Sequence, residues 1–422
     1  MVAAANPAAG TAASRTDTDS RLLEKFMELF QDVKVLSLEQ ATVVPYLTYR
    51  LAMDGMQVIR LEHPVYGDPN RMIGANALGE EKMNAYFLCI NAGKQALTLN
   101  LAEPEGRDLL QRLVRDLDID IFTTNQLPKN YAKLGIDYDT LKAIKPDIIW
   151  MGVTGFGPAS NEGAYDPILQ ARSGLMELTG EAEGDPQVLG IPLPDMGTSE
   201  HASGLLMKAL FKREVSVEGS RIDLAMFEST VSWLTVPVTM TASFDTRISR
   251  RGNTHEFFCP VSVYKTANGF IYLAVGNDRQ WQAMTGLDIF ACLDRPEYVK
   301  NKGRIKDVVN LNREINAITV NHPSETLIEL FNSITVPVSK IKSIPEVIAD
   351  PLVSKKLLTA TDPVTGKQIT LAPPPNMTPF LKKQGQALSF PPRFGEQNQA
   401  IYGDKLGLSN EQLNGLQEKG VI

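Results

Sequence analysis

An alternation of strand and helix patterns between about residues 33 and 226 limits the possible folds of this chain more than any other feature. The first cycle contains an apolar strand pattern at 33–38 (VKVLSL), a helix pattern from Pro45 that Gly55 closes, and a second strand pattern at 58–62 (VIRLE). A strand, a helix and a strand in about thirty residues predict two parallel strands joined by a crossover helix.

The same cycle recurs along the following part of the chain. One helix pattern begins at Pro104, a second runs from Tyr138 to Lys145, and a third follows Asp195. The strand patterns between them are ALTLNL (96–101), IDIFTT (119–124), DIIWMGVTG (147–155) and SRIDLAM (220–226). This alternation predicts an α/β fold whose mainly parallel sheet is covered by helices on both faces.

The character of the sequence changes near residue 250. The segment VSVYKTANGFIYLAV (261–275) predicts a β-hairpin with Asn268 and Gly269 at its tip, and helix patterns follow at 279–288 and 323–333. We predict a second, smaller α/β domain here. Two proline-rich segments, APPPN (372–376) and FPPRF (390–394), predict extended chain on the surface, and a closing helix is expected over Asn410–Lys419.

Composition excludes several functional classes. The formal net charge is −7, so the chain lacks the basic face that nucleic acid or an anionic membrane requires. No apolar run approaches the length of a membrane span. The three cysteines are widely spaced, and the four histidines include no pair at metal-ligand spacing, so neither a disulfide framework nor a metal site is expected. This cysteine usage fits the reducing cytoplasm.

No common catalytic motif is present, because the sequence contains neither a Walker loop, nor GxGxxG, nor GxSxG. The stretch GIPLPDMGTSEH (190–201) instead presents a single carboxylate, Asp195, after two prolines and before a helix pattern. We interpret this carboxylate as part of a stiff loop that faces the start of the helix. Its alternative role is that of an ordinary loop aspartate or helix cap.

Seven segments, taken in order, resemble the class III CoA-transferases, the superfamily of carnitine and bile-acid CoA-transferases. These segments are VLSLEQATVVPY (35–46), VIRLEHPVYGDPNR (58–71), NAGKQALTLNLAEPEG (91–106), NQLPKNYAKLGIDYDTL (125–141), GAYDPILQARSGLMELTG (163–180), VYKTANGFIYLAVGNDRQW (263–281) and RFGEQNQAIYGDKLGL (393–408). The resemblance runs from about residue 31 to residue 422.

This resemblance implies a Rossmann-like large domain and a small α/β domain joined by long linkers, in an interlocked dimer. We therefore predict a flexible N-terminal extension at 1–28, the first part of the CoA-binding large domain at 29–230, the small domain at 250–345, and a C-terminal return to the large domain at 360–422. The resemblance also implies acyl-CoA thioesters and a small carboxylic acid as substrates, without a permanently bound cofactor.

Asp195 matches the nucleophilic aspartate of the family. A carboxylate suits CoA transfer, because its anhydride and thioester intermediates preserve the energy of the substrate thioester, whereas a serine ester would lose it. The prolines and Gly197 restrict the geometry of the attack, and the helix N-terminus is expected to keep the carboxylate ionised.

Other family positions carry over to the CoA site. The resemblance assigns CoA contacts to Gln40, Ala41, Thr42, His63, Asn125, Lys133, Leu134, Tyr165 and Asp166. Two positions depart from the family pattern. His63 replaces another basic residue of many members, and Gln397 replaces the histidine of the C-terminal Gly-Glu-His signature.

Three alternatives remain open at this stage. The α-methylacyl-CoA racemases of the same superfamily place a histidine where this chain has Tyr165, and a tyrosine is a poor proton shuttle at neutral pH. Transfer is therefore favoured over racemisation. The chain is either one half of a homodimer or a subunit paired with a related chain. Finally, Arg247, Arg250 and Arg251 either bind the distal carboxylate of a dicarboxylic acid or form a solvated linker.

Overall fold

Six parallel strands form the central sheet of the structure, a computed structural model that describes residues 29–422. The predicted extension at residues 1–28 lies outside the described residues. The strands lie in the order β3-β2-β1-β4-β5-β6. Their bounds are β1 Lys34–Leu38, β2 Gln57–Glu62, β3 Lys94–Thr98, β4 Ile121–Thr124, β5 Ile149–Thr154 and β6 Ser220–Ala225. The predicted α/β fold with a parallel sheet is confirmed.

Helices cover both faces of this sheet and bury its apolar strands. The helices that follow one another along this part of the chain are α1 Val43–Met53, α2 Ala85–Cys89, α3 Pro104–Asp116, α4 Tyr131–Leu134, α5 Tyr138–Ile144, α6 Asp166–Ser173, α7 Leu193–Ser216 and α8 Met226–Val231. Adjacent residues of β1 point to opposite faces, so Leu36 packs with α3 in one core and Val35 packs with α1 and α7 in the other.

The register of the sheet brings the carboxyl ends of its central strands together. Leu38, the last residue of β1, pairs with Leu61 of β2 and with Thr124 of β4. The turns that follow these three strands therefore emerge at the same edge of the sheet. Among the residues that the structure describes, no helix combines the length and apolar character needed to cross a bilayer.

The described chain divides into two units. The first comprises residues 29–173, 190–235 and 355–422, and the second comprises 174–189 and 236–354. The segment 174–189 falls within the range predicted for the large domain, yet it groups with the second unit.

An antiparallel sheet and several helices build the second unit. The predicted hairpin of β7 Val261–Thr266 and β8 Gly269–Ala274 is present, but it turns at Ala267 and Asn268, one residue before the predicted tip, since Gly269 already pairs with Thr266. Strand β9 Val338–Lys340 pairs with β8. The helices in this part of the chain are α9 Thr235–Phe244, α10 Asp278–Thr285, α11 Asn301–Lys306, α12 Val308–Thr319, α13 Ser324–Ser333, α14 Ile344–Ala349 and α15 Pro351–Ser354.

The C-terminal segment contains more regular structure than its prolines suggest. Strands β10 Leu358–Thr361, β11 Gln368–Leu371 and β12 Ala387–Ser389 form a small mixed sheet, with helix α16 Pro379–Lys383 between the last two. The predicted surface location is wrong for the second proline-rich segment, since Phe390, Pro391 and Pro392 are buried. The Arg71 guanidinium donates to the Pro392 carbonyl at 3.2 Å, so this segment is part of the core.

The chain ends against the central sheet of the first unit. A π-helical turn at Gln399–Lys405 precedes helix α17 Asn410–Glu418. Tyr402 is fully buried there, and its hydroxyl donates to the Thr98 carbonyl of β3 at 3.0 Å. These contacts attach the last residues of the chain to the edge strand β3.

Candidate active site

The turns after β1 and β4 meet where the strand order of the central sheet reverses, which is the usual ligand position in an open α/β sheet. Two of the predicted CoA residues pair across this point. The Gln40 N–H donates to Asn125 Oδ1 at 3.2 Å, and Asn125 Nδ2 donates to the Gln40 carbonyl at 2.8 Å. The structure thus brings Gln40 and Asn125 together, although 85 positions separate them in the sequence.

The next residue of the turn, Ala41, has the left-handed backbone conformation, with a φ of 61°. That conformation costs an L residue about 1–2 kcal/mol, so contacts must hold it. The Ala41 N–H donates to Asp68 Oδ1 at 3.0 Å, and the Asn70 amide donates to the Ala41 carbonyl. The Thr42 hydroxyl lies 3.2 Å from the Tyr86 hydroxyl. The turn Gln40–Thr42 is therefore fixed by side chains from other segments.

Buried charges that the sequence analysis missed support this turn. The ionic cluster, as we call them, consists of three carboxylates and three cations: Glu39, Glu62, Asp68, Arg60, Arg71 and Lys94. Its ion pairs include Lys94 to Glu39 at 3.0 Å and Arg60 to Asp68 at 2.7 Å. All six side chains are at most a few per cent exposed. A signal for the cluster exists in the sequence, because Arg60 interrupts the apolar strand pattern VIRLE.

Charge pairing keeps these carboxylates ionised. Burial alone would raise the pKa of Glu39, but Lys94 and Arg60 and hydrogen bonds from Ser37 and Thr48 hold that pKa below its ordinary value. Burial likewise opposes the ionisation of Lys94 and lowers its pKa to about 8, although Glu39 acts in the other direction. In the ionic cluster, each buried charge therefore has at least one partner of opposite charge.

Asp195 lies in the first turn of helix α7 and not in a loop that precedes it. The loop prediction is wrong because the prolines that suggested it, Pro192 and Pro194, occupy the helix start, where a missing N–H breaks no intrahelical bond. The Asp195 N–H donates to Asp166 Oδ2 at 3.1 Å, and the Asp195 carbonyl accepts from the Ser199 hydroxyl at 2.8 Å. Two separately predicted site residues, Asp166 and Asp195, are thus brought together by a direct hydrogen bond.

The electrostatic surroundings of Asp195 also differ from the prediction. Burial, and secondarily the nearby carboxylate of Asp166, raise the pKa of Asp195 to about 7. The helix N-terminus was expected to keep the carboxylate ionised, and this expectation is wrong at mildly acidic pH. Burial also raises the pKa of Asp166, against the hydrogen bonds from Gln170 and from the Asp195 N–H. No cation of the described chain forms an ion pair with either carboxylate.

A cavity of about 570 Å³ opens at Asp195. Five predicted residues line this Asp195 cavity together with the carboxylate: Gln40, Ala41, Thr42, Asn125 and Tyr165. Tyr165 is 77% exposed, so it is available at the mouth of this cavity. Glu162 and Met226 also line the cavity, and neither was predicted from the sequence.

Three of the other predicted CoA residues line a second cavity of about 270 Å³, the His63 cavity, while Asp166 lines neither cavity. Lys133 and Leu134 face it together with His63, and Gln40 lines both cavities. His63 Nδ1 accepts from the Val65 N–H at 3.1 Å, and burial lowers the pKa of this imidazole. The segment Leu99–Ala102, which follows β3, completes the walls and was missed by the sequence analysis.

The three predicted substrate arginines lie in the second unit, where each has an acidic partner. Arg250 pairs with Glu177 at 2.7 Å and donates to the Gly184 carbonyl at 2.8 Å, so it attaches the segment 174–189 to its own loop. Arg251 pairs with Glu256. Arg247 lies 3.4 Å from Glu177 and keeps 83% of its side chain exposed.

Gln397, which replaces the histidine of the family signature, forms hydrogen bonds with the edge of the central sheet. Its side-chain oxygen accepts from the Ala96 N–H at 2.6 Å, and its own N–H donates to the Ala96 carbonyl at 3.1 Å. The residue therefore continues the hydrogen bonding of edge strand β3. Within residues 29–422, no group of three or more His, Cys, Asp or Glu side chains is arranged to hold a metal ion.

Comparisons with known proteins identify the family of this chain. Residues 30–398 match the profile of CoA-transferase family III. The chain is 33% identical to the succinate–glutarate CoA-transferase of Agrobacterium fabrum over 77% of this chain and 82% of that protein. It is 29% identical to the succinyl-CoA:mesaconate CoA-transferase of Haloarcula hispanica over 85% of this chain and 92% of that protein.

A solved structure extends the match to three dimensions. A CaiB/BaiF family protein from Brucella suis superposes with a TM-score of 0.77 at 28% identity, over 88% of this chain and 98% of that chain. The family profile covers most of the sequence, and the fold and the named relatives agree with it. The chain therefore belongs to CoA-transferase family III and is a class III CoA-transferase.

Proposed function

We propose that this enzyme moves CoA from succinyl-CoA to a dicarboxylic acid through a thioester formed on Asp195. The observation that carries the proposal is the position of Asp195: a carboxylate with a pKa near 7 that opens into a cavity lined by the turn Gln40–Thr42 and Asn125. A half-buried carboxylate without a cation partner is a more reactive nucleophile than a fully solvated or paired one.

The first half of the reaction loads CoA onto the protein. A carboxylate oxygen of Asp195 attacks the thioester carbonyl carbon, the carbon–sulfur bond breaks, and a mixed anhydride and CoA thiolate result. The thiolate then attacks the aspartyl carbonyl carbon of the anhydride. The bond from the aspartyl carbonyl carbon to the bridging oxygen breaks, that oxygen leaves with succinate, and the aspartyl-CoA thioester remains. No net proton is consumed, so the step needs an ionised Asp195 but no separate base.

The second half repeats these steps with the acceptor. The acceptor carboxylate attacks the aspartyl thioester and releases CoA thiolate, and the thiolate attacks the acceptor carbonyl of the new anhydride. The new acyl-CoA forms, and the Asp195 carboxylate is regenerated. Asp166 contributes by position, since its hydrogen bond to the Asp195 N–H fixes the backbone that carries the nucleophile.

The adjoining His63 cavity is our candidate for the nucleotide end of CoA. His63 and Lys133 are its basic side chains, and both suit phosphate. Gln40, Ala41, Thr42, Asn125, Tyr165 and Leu134 would then contact the rest of the CoA molecule along the two cavities. CoA is a substrate in this scheme, and no permanently bound cofactor is required.

The names of the relatives support succinyl-CoA as the donor, because succinate or succinyl-CoA occurs in both names quoted above. Their acceptors, glutarate and mesaconate, are dicarboxylates. We therefore propose a dicarboxylate acceptor for this chain, with malate, itaconate, mesaconate, glutarate and substituted succinates as the candidates to screen.

The arginine run remains our candidate for recognition of the distal carboxylate. Arg247 is the preferred residue of the three, because its guanidinium is mostly exposed while Arg250 is engaged by Glu177 and Gly184. If Arg247→Ala leaves the KM of every dicarboxylate unchanged, this assignment is wrong. Arg250→Ala is the comparison, and we expect it to act mainly on stability.

An acyl-exchange assay tests the proposal as a whole. The enzyme is mixed with succinyl-CoA and each candidate acid, with propionate as the monocarboxylate control, and the new acyl-CoA is separated by chromatography. We expect transfer to at least one dicarboxylate, a loss of at least about a thousandfold in Asp195→Asn, and no change in Asp108→Asn, an exposed aspartate of α3.

Two outcomes of the same assay favour the alternatives. Deuterium uptake into a 2-methylacyl-CoA without any transfer would indicate a racemase, despite Tyr165 in the place of a histidine. Transfer only after addition of a related second chain would indicate one subunit of a hetero-oligomer and would contradict a homodimer.

A further inference from the structure

An aromatic side chain that the proposed reaction does not use, Trp233, lies against the helix turn that carries Asp195. Gly197 is buried two residues after Asp195, and a Cβ atom at this position would overlap the six-membered ring of Trp233. A glycine inside a helix costs about 1 kcal/mol relative to alanine. Its presence here allows the indole to contact the helix backbone directly.

A hydrogen-bond chain fixes the orientation of this indole. Trp233 Nε1–H donates to His201 Nε2 at 3.0 Å, and His201 Nδ1 lies 2.7 Å from the Ser229 hydroxyl oxygen. An indole nitrogen can only donate, so His201 Nε2 must be the unprotonated nitrogen and His201 Nδ1 carries the proton that it donates to Ser229. Ser229 is 4% exposed and belongs to helix α8.

The spacing along α7 explains why one indole reaches both contacts. Gly197 and His201 are four residues apart on α7, so they lie on the same face of the helix. The Trp233 ring extends between them, with its carbon edge at Gly197 and its nitrogen at His201. The centroids of the Trp233 and His201 rings are 5.2 Å apart.

Two other side chains hold the first turn of α7. Asp166 accepts from the Asp195 N–H, and the single hydroxyl proton of Ser199 is shared between the Asp195 carbonyl at 2.8 Å and the Val43 carbonyl at 2.5 Å. Ser199 thereby joins α7 to α1, while Trp233 joins α7 to the segment after α8. Each of these contacts reduces the freedom of the turn.

We infer that Trp233, held in place by neutral His201, is a positioning residue that fixes the first turn of α7 and with it the nucleophile Asp195. The inference rests on the proposed role of Asp195 for its catalytic consequence, but not for its structural one. A displaced indole would leave the chemistry of the carboxylate intact and loosen its geometry, so the rate of the covalent step should suffer more than substrate binding.

Hydrogen–deuterium exchange of the substrate-free full chain tests the structural part. The reporter is a peptide that covers residues 193–200. We expect its first-turn amides to exchange about tenfold faster in Trp233→Phe, which loses the N–H donor, and in His201→Leu, which loses the acceptor. His201→Gln keeps an acceptor oxygen near the position of Nε2 and should restore slow exchange.

Trp281→Phe is the matched control. Trp281 is almost fully buried, whereas Trp233 is 37% exposed, and the Trp281 indole nitrogen has no hydrogen-bond partner among the described residues. Trp281→Phe therefore removes an indole N–H without removing a hydrogen bond. Trp281 lies in the second unit, whereas the reporter peptide lies in the first. Equal exchange of the reporter peptide in Trp233→Phe, His201→Leu and Trp281→Phe would overturn the inference.

Steady-state kinetics test the catalytic part. We expect Trp233→Phe and His201→Leu to lower kcat about tenfold with KM for succinyl-CoA within about twofold, and His201→Gln to recover most of kcat. Faster exchange with an unchanged kcat would show that the turn is held but that catalysis does not depend on it, which would overturn the positioning role. Absence of any transfer by the unsubstituted enzyme contradicts the proposed function instead, and the exchange result then still decides the structural part.

Discussion

Two groups of carboxylates in the first unit, one fully buried and one in which Asp195 is half-buried, have opposite electrostatic character. Glu39 is 3% exposed and forms an ion pair with Lys94 at 3.0 Å, and its pKa is below the ordinary value. Asp195 has another carboxylate, Asp166, as its neighbour, and burial together with that neighbour raises its pKa to about 7. Burial acts in the same direction on both groups, so the partner decides the outcome.

This difference separates a structural role from a chemical one. The ionic cluster balances three carboxylates with three cations and holds the turn Gln40–Thr42 in a conformation that Ala41 would not adopt unaided. The pair Asp166 and Asp195 is uncompensated, so its negative charge is costly until a substrate reacts with it. We conclude that the first group is stabilising and that the second reduces stability in favour of reactivity.

The largest expected effect comes from breaking the compensated group. Lys94→Met leaves the Glu39 carboxylate buried without its lysine, and we expect the free energy of unfolding to fall by about 3–5 kcal/mol at neutral pH. Urea denaturation measures the change. Lys419→Met, which removes the exposed partner of Glu105, is the control and should leave the free energy of unfolding almost unchanged. Similar losses in the two variants would contradict the distinction between buried and exposed pairs.

A substitution that removes the charge of Asp195 should raise the free energy of unfolding, whereas Lys94→Met lowers it. The folded-state pKa of Asp195, about 7, exceeds the ordinary 3.8, so ionisation penalises the folded state fully above pH 7 and not at all below the unfolded pKa. We expect Asp195→Asn to raise the free energy of unfolding by roughly 2 kcal/mol at pH 8, about half of the full linkage value because part of the side chain meets solvent. The gain should shrink as the pH falls from about 7 towards 4. Destabilisation at pH 8 is the contrary result.

The like charge of Asp166 can be removed separately. Asp166→Asn retains an oxygen that can accept from the Asp195 N–H but lacks the negative charge. We expect the apparent pKa for loading of CoA to fall by about one unit, which increases the rate at pH 6 roughly fivefold. Burial, the larger cause, should keep that pKa above 3.8. The pH dependence of single-turnover rates gives the shift, and an unchanged midpoint would assign the raised pKa to burial alone.

The smallest expected effect concerns the neutral part of the turn. Asn125→Ala removes both hydrogen bonds to Gln40 but leaves the ionic cluster intact. We expect KM for succinyl-CoA to rise about fivefold, equivalent to about 1 kcal/mol, with stability almost unchanged. A loss of stability as large as that of Lys94→Met would mean that the amide pair, and not the cluster, holds the turn.

The sequence predicts the first unit well where its patterns are local. Buried parallel strands are apolar throughout, so β1, β2 and β4 were identified from short runs, and the Asn268-Gly269 dipeptide identified the hairpin of the second unit. Strands β10, β11 and β12 have only three or four residues each, too few for a recognisable period. No strand was therefore predicted in this part of the chain, and only its two proline-rich segments were expected to run extended along the surface.

The site is less predictable because its properties depend on distant residues. Glu39 follows β1, Arg60 lies within β2 and Lys94 begins β3, so no local pattern indicates that they meet. Asp195 was found from its motif, but its place inside α7 was missed because prolines suggest a loop as well as a helix start. The raised pKa was missed because burial and the neighbouring Asp166 follow only from the fold.

The most direct test of the central claim is a mass measurement on the enzyme after it is mixed with succinyl-CoA. We predict a CoA-sized adduct on the proteolytic peptide that contains Asp195, absent in Asp195→Ala and released by hydroxylamine with a hydroxamate left on the peptide. An adduct on a different residue, or efficient transfer by Asp195→Ala, would contradict the assignment of Asp195 as the nucleophile.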